Sequence, residues 1–391
     1  MDIEKIRREF PALQQYTWFQ NGGVSITPAP VAAEHIRCME EILRRGPLHI
    51  VYPDEEYPRR QTTMAKLASF FGVKAAELAL MRGVSEGFQT VIRGIEWQEG
   101  DEILISEDEE AALLLPALQL RDLHGVKVVK VPLLDDADQQ VAAVEERLGA
   151  RTKLLALSHV TTDLGFRLPV KKICRAANER GVLSFLDMAH SAGLYEMNLR
   201  DLGCDFAGLL SYKWMYSPYA AGLLYVRREK LEALRVHYAG GRAEARLDFV
   251  QDTYELHETA ERFQYGPWSW PLVHAWAFAV EYLREIGQQA IWARTTALAD
   301  QLKQGILHIA GAELYTPKSK KCSAALVSFG LEGWGGEELS RVLREEQNMI
   351  IKAMPHGREG LRGSMAFFLH TSEIDQLITA LAELAEQRRA S

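Results

Sequence analysis

Two short apolar runs in the middle of the chain each end on a group able to do covalent chemistry. Residues 183–186 lead into Asp187, and residues 207–210 lead into Ser211, Tyr212 and Lys213. Each run has the length of a buried strand and is bounded by polar or turn residues. In one mostly parallel sheet both groups emerge at the carboxyl-terminal edge, where open α/β sheets bind ligands. A lysine amine that loses its proton through partial burial is a nucleophile toward a carbonyl. A buried carboxylate beside a cation keeps its charge and holds a ring nitrogen protonated. Pyridoxal phosphate requires both, a Lys Schiff base and an Asp at the pyridinium nitrogen.

The surrounding motifs are Asp187-Met-Ala-His190-Ser-Ala-Gly193, Leu202-Gly-Cys-Asp-Phe206, Ser211-Tyr-Lys213-Trp and Pro218 followed by Gly222-Leu-Leu-Tyr-Val226. Together they resemble the core of class V aminotransferases, fold type I pyridoxal phosphate enzymes related to isopenicillin N epimerase-like proteins and cysteine desulfurases. The likeness runs in order over nearly the whole chain. It implies that Lys213 holds the cofactor and then acts as general base at Cα, and that Asp187 pairs with the ring nitrogen. It also implies that His190 bonds the phenolic oxygen, and that Ser211 and Tyr212 help bind phosphate.

Other residues join this set. Gly83-Val84-Ser85 follows an apolar run, residues 78–82, and opens a helix with Ser85 as a candidate N-cap. Free N–H groups and the helix dipole at such a corner attract an anion, and the resemblance places the cofactor phosphate there. Arg362, in Gly360-Leu-Arg-Gly-Ser364, matches the arginine that clamps the substrate α-carboxylate, a task suited to a guanidinium fork. The turn Asn21-Gly22-Gly23 is placed near the substrate by the resemblance, although tight-turn geometry alone accounts for its glycines.

Three departures from the family pattern stand out. Glu110, within Ser106-Glu-Asp-Glu-Glu110, occupies the place of a ring-stacking His or aromatic, and four consecutive acids are costly to bury. Gly266-Pro267 replaces a Gly-Thr pair that reaches phosphate across a dimer, and Ser217-Pro218-Tyr219-Ala220 replaces Gly-Pro-x-Gly. Residues 352–360 contain no cysteine, so a persulfide-forming cysteine desulfurase is disfavoured. An aminotransferase or epimerase-like reaction at Cα of an amino acid comes first, a C–S or other β-lyase second, and a catalytically silent binding subunit third. No GxGxxG opens a helix early in the chain, which argues against a dinucleotide-binding fold.

Elements must position these groups. Alternating strands and helices through Tyr225 predict an α/β, doubly wound, mostly parallel sheet. Residues 1–20 read as an N-terminal segment, 21–270 as a large cofactor domain and 271–391 as a small α+β domain. Residues 47–58 read as loop and 227–258 as charged and irregular. The chain has 391 residues, of which 47% are hydrophobic and 25% charged, with a formal net charge of -8. These values fit an ordinary globular protein without a nucleic-acid surface. Four widely spaced cysteines give no metal motif and suit a reducing cytoplasm. No apolar run reaches membrane-spanning length. The resemblance implies a homodimer.

Overall fold

The computed structural model describes residues 1–48, 52–354 and 357–390. After a short strand β1 (Thr17–Trp18) come seven strands: β2 (Leu78–Met81), β3 (Glu102–Ser106), β4 (Lys127–Val131), β5 (Thr152–Ser158), β6 (Leu183–Asp187), β7 (Phe206–Leu210) and β8 (Gly222–Val226). They form one sheet in the order β2-β8-β7-β6-β5-β3-β4. Within it only β8 runs against its neighbours, pairing antiparallel with β2 and β7. All seven strands stand where the hydrophobic runs predict them.

Strands covered on both faces read as continuous apolar runs, and residues of β2, β7 and β8 are buried throughout. Leu80, Leu104, Leu155, Leu186, Leu209 and Tyr225 face one core. Their sequence neighbours Met81, Ile105, Ala156, Phe185, Leu210 and Leu224 face the other. Period-two alternation thus serves two helical layers.

Beyond β8 an exposed hairpin, β9 (Glu244–Asp248) with β10 (Thr253–Leu256), occupies part of the stretch read as irregular. Its apolar side chains face solvent, so burial pattern gave no strand signal. Helices Trp270–Ile286 and Gln288–His308 follow. A second sheet contains β11 (Ala312–Leu314), β12 (Leu326–Leu331), β14 (Lys352–Ala353) and β15 (Leu361–Ser364), in the order β11-β12-β15-β14. Between them β13 (Met349–Ile350) pairs in parallel with β1. The first twenty residues therefore pack on the C-terminal layer. Arg7 donates two bonds to the Glu373 carboxylate, 2.8 and 2.9 Å, and a third to the Phe368 carbonyl.

Two local expectations change. The helix Pro53–Phe70 begins inside the stretch read as loop, with Pro at its tolerated first position. Gly83, not Ser85, caps the helix Val84–Gly94, so Ser85 lies within its first turn.

Candidate active site

Asp187 is the last residue of β6 and Lys213 lies three residues beyond β7, which places both at the carboxyl-terminal edge of the sheet. Both line one cavity of about 500 Å3 with Gly22, Gly23, Gly83, Val84, Ser85, Glu110, Tyr212, Lys352 and Arg362. A groove of about 550 Å3 beside Trp97, Leu120 and Arg235 is larger, yet it holds no such acid–amine pair.

Burial governs the protonation of the central pair. It pushes the Asp187 carboxyl up to about 6, partly offset by the Ala189 N–H at 2.7 Å and by Lys213. It pushes the Lys213 ammonium down to about 8, against the pull of Asp187. Lys213 Nζ lies 3.1 Å from His190 Nε2. Burial and the Lys213 charge hold His190 well below its usual range, so its ring is neutral. Neutral His190 then accepts from the Lys213 ammonium at Nε2 and carries its proton on Nδ1, which has no partner among the described residues.

Arg362 comes from β15 and is 1% exposed. Its Nη1 donates to the Thr162 carbonyl at 2.7 Å and to Thr162 Oγ1 at 3.1 Å. Its Nε and Nη2 are buried without hydrogen-bond partners among the described residues. These two atoms form one edge of the guanidinium, the side-on fork that matches a carboxylate. A buried fork lacking its anion is costly, and this one belongs to a residue that lines the cavity.

The acidic loop is accommodated group by group. Glu107 stays exposed. Asp108 accepts from Leu164 N at 2.9 Å and from Arg358 at 3.2 Å. Glu109 accepts from Ser106 Oγ, Ser158 N and Ser158 Oγ at 2.8, 2.9 and 2.6 Å, and burial still pushes it up to about 8. Glu110 caps the helix Ala111–His124 and accepts from Thr162 Oγ1 at 2.9 Å. It therefore lies at the cavity and within the Arg362 network, in place of a stacking ring.

The remaining expected residues divide. Gly83 leaves open space where a side chain would project, and Gly222 is pressed against it: a Cβ on Gly222 would sit 2.5 Å from Gly83 Cα. The helix start Val84–Ser85 offers N–H groups to the cavity. Tyr212 lines the cavity and stacks on Tyr219 at 4.8 Å. Ser211 does not line it; its hydroxyl donates to the Pro218 carbonyl at 2.6 Å. Gly22 N donates to Ser364 Oγ at 2.9 Å, and Asn21 Nδ2 reaches Tyr216 OH at 3.3 Å, so this turn joins the two sheets at the cavity rim. Sequence reasoning missed Lys352 and Thr162. The period-two pairing of β14 with β15 places Lys352 opposite Arg362 and was the available signal for it.

Cavity size, the acid–amine pair, the anion-attracting helix start and the vacant carboxylate fork all fit pyridoxal phosphate with an amino acid. Fold and site together define a pyridoxal phosphate-dependent enzyme of fold type I. The chain belongs to the aminotransferase class-V family, whose model matches residues 56–377. It is similar to a probable cysteine desulfurase of Xylella fastidiosa, 27% identical over 98% of this chain and 95% of that protein. The apo structure of the cysteine desulfurase of Thermococcus onnurineus NA1 superposes with a TM-score of 0.88 at 24% identity, over 98% of each chain. A complex between the cystine C–S lyase C-DES and its reaction product cysteine persulfide superposes with a TM-score of 0.85 at 22% identity, over 96% of this chain and 99% of that one.

These relatives correct one expectation. The missing cysteine in residues 352–360 disfavoured a persulfide-forming desulfurase, and an aminotransferase or epimerase-like enzyme was expected first. Relatives covering almost the whole chain carry the desulfurase name, and a neighbour of the same fold has a persulfide product. The missing cysteine therefore does not exclude that chemistry for this chain.

Proposed function

We propose that this enzyme cleaves the Cβ–S bond of a cysteine-type amino acid. The observation that carries this reading is the vacant Nε–Nη2 fork of Arg362 in the cavity that also holds Lys213. It sets an α-carboxylate at one end, with a base available for the Cα proton. When bound, pyridoxal phosphate supplies a carbonyl that takes up the amino group and a protonated ring that withdraws electrons from Cα.

The residues divide the remaining work. Asp187 keeps the ring nitrogen protonated, and a cation beside it opposes the burial that otherwise raises its pKa. Ser85 and the N–H groups at Val84 and Ser85 receive the phosphate. Lys213 Nζ, already displaced toward its neutral form, accepts the Cα proton, while His190 fixes its position. The sulfur then departs from Cβ with its bonding pair. From a disulfide substrate that departure yields a persulfide as a free product, so the buried cysteines of this chain need not carry it. The names of the relatives support this choice over other Cα chemistry.

Incubation of the holoenzyme with L-cysteine and L-cystine tests the reading. Pyruvate and ammonia should appear in step with sulfide or cyanide-reactive sulfur. An inverted amino acid or a keto acid retaining its sulfur, with no sulfur released, would refute it. A homodimer is part of the proposal, supported by the family pattern; light scattering should give twice the chain mass. A reducing cytoplasmic setting is likewise proposed, supported by four buried free thiols among the described residues.

A further inference from the structure

We infer that Lys352 forms, beside Arg362, a second anion subsite, so that the preferred amino acid carries a negative charge beyond Cβ. The inference rests on the proposed function only in placing the α-carboxylate on Arg362.

The argument starts from register. In the antiparallel pair β14–β15, Lys352 lies directly opposite Arg362. Directly opposite residues share a face of the sheet, with Cβ atoms about 4.5–5.5 Å apart, and like charges there repel. Alternation along the strand explains which face this is. Ile351 is buried in the core, so Lys352 points to the other side, where it and Arg362 both line the cavity.

Neither cation has a hydrogen-bonded carboxylate among the described residues, although Glu110 and Asp163 act on both electrostatically. Lys352 makes no hydrogen bond or ion pair with a described residue. Arg362 Nε and Nη2 are without hydrogen-bond partners among the described residues. One α-carboxylate fills the Arg362 fork and leaves Lys352 still facing the cavity. Like charges directly opposite each other on a sheet repel, and a ligand with two anionic groups relieves the repulsion between the buried Arg362 and the half-buried Lys352. The fitting class is an amino acid whose sulfur leaving group bears a carboxylate or sulfonate. L-Cystine and S-sulfo-L-cysteine both belong to it.

Isothermal titration of the holoenzyme with L-glutamate and L-norvaline tests the subsite without any need for turnover. The two differ by a carboxylate in place of a methyl group. Glutamate should bind about tenfold tighter, the size of one charge-assisted hydrogen bond. The ratio should fall to about one in Lys352→Met and be retained in Lys352→Arg. A wild-type ratio of one, or a preference that survives Lys352→Met, would overturn the inference. Because the wild-type ratio is decisive by itself, a misfolded variant does not shelter the idea. Relative kcat/KM for S-sulfo-L-cysteine, L-cystine and S-methyl-L-cysteine then separates sulfonate from carboxylate recognition. If no sulfur compound is cleaved while the glutamate ratio holds, the lyase reading fails and the subsite stands.

Discussion

Covalent capture of pyridoxal phosphate by the apoenzyme should follow the ionisation of Lys213. Only the neutral amine attacks the aldehyde. An ordinary lysine near 10.5 is about 0.3% neutral at pH 8. Burial pushes Lys213 down to about 8, so half of the molecules are reactive at that pH. The sign follows directly: the capture rate rises as pH rises, about tenfold per unit below pH 7, and levels off above about pH 9. Asp187 and Glu110 both favour the charged amine. Asp187→Asn should therefore shift the midpoint to lower pH, while a slower overall rate reports weaker cofactor binding. Stopped-flow absorbance of the bound cofactor between pH 6 and 10 provides the measurement. A rate still climbing tenfold per unit through about pH 9.5, or a midpoint moved upward by Asp187→Asn, would show that the lysine is not desolvated as described.

Three further outcomes are expected. Arg362→Gln removes the carboxylate fork and should raise KM at least tenfold, since hydrogen bonds to charged groups contribute about 1.5–3 kcal/mol; unchanged KM with lowered kcat would count against carboxylate binding. Gly193→Ala forces a side chain at φ +88 with its Cβ 2.3 Å from the Trp214 carbonyl. It should cost at least about 2 kcal/mol in denaturant unfolding and loosen the cofactor that the adjacent Lys213 is proposed to hold. Glu373→Gln breaks the two-bond pair with Arg7 and should destabilise by about 1–2 kcal/mol, with an unchanged denaturant slope if the N-terminal segment stays docked.

The central sheet was legible because most of its strands are built on continuous apolar runs flanked by turn residues, a pattern that buried parallel strands impose. Asp187 and Lys213 were legible because they stand where such runs stop. Residues acting through pairing between distant strands were not. Lys352 lies on a two-residue strand, and only its register with Arg362 brings it to the cavity beside that arginine. Thr162 follows β5 without a motif of its own, yet it anchors Arg362 through both its carbonyl and its hydroxyl. Ser211 looked like a phosphate ligand by position, but the local turn takes its hydroxyl for Pro218. The hairpin β9–β10 escaped notice because it buries little, so its sequence lacks the alternation of a half-buried sheet.

The glutamate at the ring-stacking position now has a physical role. Thr162 has a single hydroxyl proton, and Glu110 accepts it at 2.9 Å. The lone pairs of that hydroxyl are thereby left for Arg362 Nη1, which lies 3.1 Å away. Nη1 is then committed to Thr162, and the opposite Nε–Nη2 edge has no hydrogen-bond partner among the described residues. Glu109 steadies the arrangement by tying Ser106 of β3 to Ser158 of β5, immediately before Glu110. The acidic loop thus orients the arginine fork that is proposed to take the substrate carboxylate. Its cost in buried charge is offset by three hydroxyls, three backbone N–H groups and one guanidinium.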